Sequence, residues 1–168
     1  MRALSSALII AVAGAACGGD DSPASIDAAI DADPHSLPHF SFFVTSLKAL
    51  QELSGNPMGF GGDLRFGQVG AGAGLRGADA ICAAIADISM PGASAKGWRA
   101  FLSATNDGNG NQVHAIDRLG NGPWYDRLGR VFATNLANAI GANRPIGCNS
   151  VICNDLPNED GVPNHAPN

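Results

Sequence analysis

The stretch from Leu75 to Ser103, LRGADAICAAIADIS then MPGASAK then GWRAFLS, decides the fold. Ala78, Ile81, Cys82, Ile85 and Ile88 fall on one stripe with a period of about 3.6 residues, the mark of an amphipathic helix. Asp79 and Asp87 lie off that stripe, and Asp79 stands near the helix start, where a negative charge suits the dipole. Ser89 and then Pro91-Gly92 end the helix, because proline cannot continue the hydrogen-bond ladder. Beyond the turn, Trp98, Ala100 and Leu102 alternate with Arg99, Phe101 and Ser103. Both sets are largely apolar, which predicts a strand covered on both faces. The expected unit is a helix packed on a small sheet, and the expected fold class is α+β.

The chain has 168 residues, enough for one domain with its own core. It opens with Met1-Arg2, a largely apolar run from Ala3 to Ala16, and Cys17. One positive charge, a short apolar stretch and small residues before a cysteine read as an export signal over residues 1–17. The run falls short of the roughly 20 apolar residues that span a bilayer. Gly14-Ala15-Ala16-Cys17 resembles a bacterial lipobox, with Cys17 as the lipid-attachment residue, although leucine is commoner where Gly14 stands. Ordinary cleavage after Ala15 is the competing reading. Gly18, rather than aspartate, follows the cysteine, which by resemblance to sorting rules in enteric bacteria favours the outer membrane.

Residues 18–39 read as an acidic, disordered tether. They hold Asp20, Asp21, Asp27, Asp31 and Asp33, three prolines, no lysine or arginine and no aromatic residue. Such a segment cannot bury enough apolar surface to offset its ordering entropy. All ten Phe, Trp and Tyr residues lie between Phe40 and Phe132, so the folded domain begins near residue 40 and extends to 168, well formed to about 135 and loop-rich after. The formal charge of −5 belongs to the tether, leaving the domain nearly neutral. A neutral domain excludes nucleic acid as an expected partner, since phosphate recognition needs a basic face.

Within the domain, Phe40 to Ser46 predicts a strand from its aromatic and β-branched content. Leu47 to Leu53 reads as a helical turn or an extended continuation. Ser54 to Gly74 is glycine-dense. Gly70, Gly72, Gly74 and Gly77 only loosely fit a phosphate-cradling pattern, and a surface loop is the expected form. Asp107, Asn109 and Asn111 match the first ligands of a calcium loop, but Gln112 replaces the turn glycine and Arg118 the bidentate glutamate, so a polar turn is expected. Gly122-Pro123-Trp124-Tyr125-Asp126 and Arg130 to Ala133 bracket Arg127-Leu128-Gly129 as a hairpin. One of the two rings is expected in the core and the other half exposed. Leu136 to Ile140 reads as a short helical turn.

Several phrases together, Phe43-Val44-Thr45-Ser46, Leu75 to Cys82, Gly97 to Ser103, Asp117-Arg118 and Gly122 to Tyr125, resemble a family of bacterial surface-lipoprotein domains of unknown function related to the C-type-lectin and endostatin-like fold. The resemblance covers about residues 40–135. It implies a helix packed on a small, twisted, mainly antiparallel sheet with long loops on one side. Members of that family continue into a closing strand whose cysteine pairs with the helix cysteine, here Cys82. The present sequence ends at Asn168 without such a strand, and so reads as incomplete relative to the family. Leu156 to Asp160 is the nearest string to a lectin calcium loop and lacks the first ligand, so calcium-dependent sugar binding is not expected.

With Cys17 lipidated, Cys148 and Cys153 are close enough to bridge a short loop, worth roughly 2 kcal/mol in the entropic account. Cys82 is then left over, a small hydrophobe on the helix stripe. No cofactor or metal is expected: there is no Cys-x-x-Cys, and the four histidines are scattered. The expected function is a non-enzymatic binding or adhesion module of the cell envelope, held to the membrane by lipid, with an extracellular protein or glycan as ligand. Asp107, Asn109, Trp124 and Tyr125 form its candidate ligand surface. An enzyme using a loop cysteine and a truncated, non-functional fragment are the alternatives.

Overall fold

The computed structural model describes residues 38–141, 149–152 and 155–164. Three α-helices run in order, α1 (Leu47–Ser54), α2 (Ala73–Ser89) and α3 (Leu136–Ile140). Strands β1 (Trp124–Tyr125) and β2 (Val131–Ala133) form a two-stranded antiparallel sheet. The class is therefore α+β. Among the described residues, no helix is long and apolar enough to cross a membrane.

The helix expected from the stripe is α2, which starts at Ala73 behind Gly72, a residue with φ of 74°. Its buried face differs from the expected one. Ala73, Gly77, Ala78, Ile81, Ile85 and Ala86 are buried, Cys82 is half-buried, and Ile88 is exposed. The stripe is rotated toward small residues because backbone comes close to it. A Cβ built on Gly77 would lie 2.1 Å from the Leu64 carbonyl oxygen and 2.2 Å from that of Arg65. The C-terminal half of α2 packs on aromatic rings instead. Phe40, Ala86, Met90 and Ala93 are buried together, with Phe43 and Trp98 against them. Both phenylalanine rings meet the Trp98 ring at 4.9 Å between centroids, edge to face, and the indole N–H donates to the Ala93 carbonyl at 2.8 Å. Those rings, rather than a sheet, cover the helix.

The expected strand from Trp98 to Ser103 does not form. The backbone of Ala100 is engaged by side chains: its N–H donates to Asp79 Oδ1 at 2.8 Å, and its carbonyl accepts from Arg118 at 2.6 Å. Arg118 also grips both Asp79 oxygens at 2.6 Å. The groups a neighbouring strand would need are thus already taken. Phe101 is consequently exposed, where a two-sided strand would have buried it. Asp79 serves this cross-link and lies beyond the first turn of α2, so its expected role at the helix dipole is replaced. Asp87 closes the following turn, accepting from Gly92 N, Ser94 N and Ser94 Oγ, and those bonds hold its carboxyl below the usual range.

Phe40 to Ser46 is extended but likewise joins no strand ladder. Ser41 and Phe42 N–H groups both donate to the Tyr125 carbonyl, and Val44 makes an isolated parallel bridge to Asn158. The Phe42 ring stacks on Phe132 at 3.6 Å and 3°. The hairpin appears as expected, with Gly129 at φ 76°. Its buried Asp126 accepts from the Leu128 and Arg130 N–H groups and pairs with the Arg130 guanidinium. Leu47 to Leu53 is α1, and the short turn at 136–140 is α3.

Residues 155–164 close the molecule. Glu159, only 6% exposed, accepts from Ser46 N at 2.9 Å and from Ser46 Oγ at 2.5 Å. Ser46 is also the N-cap of α1, accepting from Ala49 N. The Glu159 carbonyl accepts from Ser89 Oγ at the end of α2, and Arg127 donates to the same serine.

Two substitutions test the close approach at Gly77. Gly77→Ala should cost about 2 kcal/mol or more through overpacking against carbonyl oxygens. Gly74→Ala, with nothing within 4 Å of its added carbon, should leave stability unchanged or raise it by up to about 1 kcal/mol from helix propensity. Urea midpoints of the two variants separate these outcomes. Arg118→Ala should cost about 2 kcal/mol by leaving the mostly buried Asp79 to the exposed Arg99, and Asp79→Ala with Arg118→Ala should cost less than the sum of the single changes, read by the same denaturation.

Candidate functional site

The glycine-dense segment joins the end of α1 to the start of α2. Gly55 terminates α1 in the left-handed region and Gly72 begins α2 there. A connection of this length without secondary structure is uncommon in a folded domain and is usually functional or disordered. Here it is fixed at many points. Gln51 Nε2 donates to the Pro57 carbonyl at 2.7 Å, and Asn56 Oδ1 accepts from Met58 N at 2.8 Å. Arg65 forms a bidentate pair with Asp63, at 2.8 Å and 2.6 Å. That pairing pulls the Asp63 carboxyl down to about 2, so it stays ionised at neutral pH. From α2, Arg76 reaches back to the Val69 and Ala71 carbonyls, both at 2.8 Å. The close packing of Gly77 beneath Leu64 and Arg65 holds the middle of the segment against the helix.

The result is an open depression of about 510 Å³, whose lining includes Asn56, Phe60, Asp63, Arg65, Phe66 and Val69. Phe60 and Phe66 meet edge to face at 5.7 Å and 83°. Phe66 has φ of 47°, a left-handed conformation that a bulky side chain adopts at a cost of roughly 1–2 kcal/mol. Met58 is 80% exposed and Val69 82%. An aromatic pair, an ionised cross-linked pair and the exposed Val69 thus line one pre-shaped surface, with the exposed Met58 next in sequence to its lining residue Gly59. Such a surface suits binding: aromatic rings and methionine supply contact area, and a fixed loop loses little freedom on complexation. It does not suit phosphate, because Arg76 is spent on the chain's own carbonyls and Gly77 faces protein backbone.

The residues singled out from the sequence are placed apart. Asp107 and Asn109 belong to a turn abutting the N-terminal end of α2, where a Cβ on Gly72 would meet the Asp107 carbonyl oxygen at 2.1 Å. Asp107 Oδ1 accepts from the Asn109 and Asn111 N–H groups, which lowers its carboxyl and gives the expected polar turn. Trp124 and Tyr125, both half-buried, lie toward the other end of α2. Tyr125 stacks near His39 at 4.7 Å and its backbone holds the segment that carries core residue Phe40. The 17 residues of α2 span about 25 Å, so the two pairs do not share a patch. Glu159 and Asn158, in the string nearest to a lectin calcium loop, are occupied by Ser46 and by the Asp160 and Val162 N–H groups. Among the described residues, no three His, Cys, Asp or Glu side chains gather as a metal site. Cys17, Cys148 and Cys153 lie outside the described residues, and so does the proposed bridge between the last two.

Cys82 carries a free thiol on α2. Burial first, and then the Asp79 carboxylate, push that thiol up to about 11 from 9.0. It is protonated at neutral pH and a poor nucleophile there. The raised value favours the folded state below pH 9.0, an advantage lost as the pH climbs through about 11. Sequence reasoning passed over Met58, Phe60, Phe66 and Val69. Their signal was available: four large apolar residues inside a glycine-dense loop are more than a passive connector needs.

Iodoacetamide should leave Cys82 unmodified in the native protein at pH 8, label it in urea, and label the native protein only as the pH approaches the raised value, as read by peptide mass mapping. Compared with protein-family models, curated proteins and solved structures, the chain matches none, and its own geometry has to carry the functional reading.

Proposed function

We propose that this chain is a non-enzymatic, lipid-anchored binding or adhesion module of a bacterial cell envelope. In this reading Cys17 bears the lipid, residues 18–39 space the domain from the outer membrane, and residues 40–168 form a domain akin to C-type-lectin-like folds. The depression in the glycine-dense segment is the recognition surface, and its ligand is an extracellular protein or glycan. The observation that carries the reading is the pre-shaped loop itself, with the strained Phe66 beside Phe60 and the exposed Met58 and Val69. Backbone strain that the surroundings hold in place is characteristic of ligand-contacting segments. The polar turn at Asp107 and Asn109, which touches Ala71 and Gly72, extends this surface. Trp124 and Tyr125 serve the hairpin and are not part of it.

Two experiments test the halves of the reading separately. Metabolic labelling with a palmitate analogue should mark the wild type in the envelope fraction, and Cys17→Ser should abolish the label; an unlabelled wild type would remove the anchor. Met58→Ser with Val69→Ser should change stability by no more than about 0.5 kcal/mol, since both residues are exposed. The same variant should lose the binding that the wild type shows on a saccharide array or on immobilised extracellular-matrix proteins. Binding retained in full would place recognition outside the depression.

A further inference from the structure

The chain holds two Asn-Gly steps, Asn109-Gly110 and Asn121-Gly122. An asparagine before glycine is prone to cyclise. The glycine amide nitrogen loses its proton and attacks the asparagine Cγ, the bond from Cγ to the side-chain nitrogen breaks, and ammonia leaves. Water then opens the succinimide at either carbonyl, giving aspartate or isoaspartate. No oxidant or reductant takes part. Two features suppress the reaction: a hydrogen bond that keeps the proton on the glycine nitrogen, and an interaction that holds the asparagine side chain away from it.

At Asn109-Gly110 the first feature is present. Gly110 N–H donates to Asn106 Oδ1 at 3.1 Å. The Asp107 carboxylate accepts from Asn109 N at 2.7 Å and from Asn111 N at 3.2 Å, which ties the asparagine's backbone into the turn. At Asn121-Gly122 neither is present among the described residues. Among the described residues, neither the Asn121 side chain nor the Gly122 N–H makes a hydrogen bond, and Asn121, Gly122 and Pro123 are all exposed.

We infer that Asn121 is a self-modification site, converting spontaneously to aspartate and isoaspartate in the folded protein while Asn109, in the same dipeptide, is spared. The conversion has a structural consequence. Gly122 packs so tightly that an added Cβ would lie 2.9 Å from the Trp124 ring and 3.3 Å from Asn135 Cα. An isoaspartyl link inserts a methylene into the backbone immediately before this glycine. Any sideways shift of Gly122 that the longer backbone imposes meets the Trp124 ring, and a new carboxylate stands just before β1. The inference does not depend on the proposed function.

The test is peptide mapping of the full chain aged in warm, mildly alkaline buffer, folded and in urea. Conversion at Asn121 should exceed that at Asn109 several-fold in the folded protein, and the two rates should converge in urea. Asn106→Ala should free the Gly110 N–H and raise conversion at Asn109. Asn121→Gln should remove conversion at that position and keep the Trp124 fluorescence constant during ageing. Conversion at Asn109 equal to or faster than at Asn121 in the folded chain would overturn the inference. So would an unconverted Asn121 in the folded sample once the urea sample has turned over.

Discussion

The buried Glu159 ties the closing turn to two helices. Glu159 accepts two hydrogen bonds from Ser46 through its side chain and one from Ser89 through its carbonyl. The first serine begins α1 and the second ends α2. Hydrogen bonds to a buried carboxylate are stronger than neutral ones, and an unpaired buried charge is costly, so this arrangement fixes both helices relative to the closing turn. Arg127 adds the hairpin by donating to Ser89 and lying over the Phe40 ring at 6.0 Å. The glycine-dense segment is anchored at α1 and α2, so its shape depends on this clasp as well as on Arg76 and Gly77.

A second polar cross-link explains why so little sheet forms. Asp79 and Arg118 occupy the hydrogen-bonding groups of Ala100, and side-chain capture of a backbone competes directly with strand pairing. The chain therefore relies on aromatic packing and side-chain-to-backbone bonds where a larger sheet would use ladders. Among the described residues, only the β1–β2 hairpin keeps a ladder, supported by the buried Asp126.

The parts of the fold that were legible in the sequence are those set by local chemistry. The helix over Ala73–Ser89 follows from periodicity, the hairpin from Gly129 in its turn, and the polar turn from Asp107 with its neighbouring asparagines. What was not legible depends on partners distant in sequence. Alternation from Trp98 to Ser103 is a strand pattern by itself, and only Arg118 and Asp79 turn it into an irregular segment. Glu159 reads as one more acid in a polar loop until Ser46 is beside it. The same holds for the candidate site. Glycine content marked a loop, but the enclosure of Phe60 and Phe66 depends on backbone passing over Gly77, and the ring pair at Trp124 and Tyr125 drew attention away from it.

The clasp between Ser46 and Glu159 spans 113 positions. Ser46 caps α1 locally, but the carboxylate that anchors this cap to the rest of the molecule is absent until residue 159 has left the ribosome. High sequence separation of a stabilising contact slows folding and leaves the nascent chain open. The latch on the first helix therefore closes only after the residue on its far side has been made.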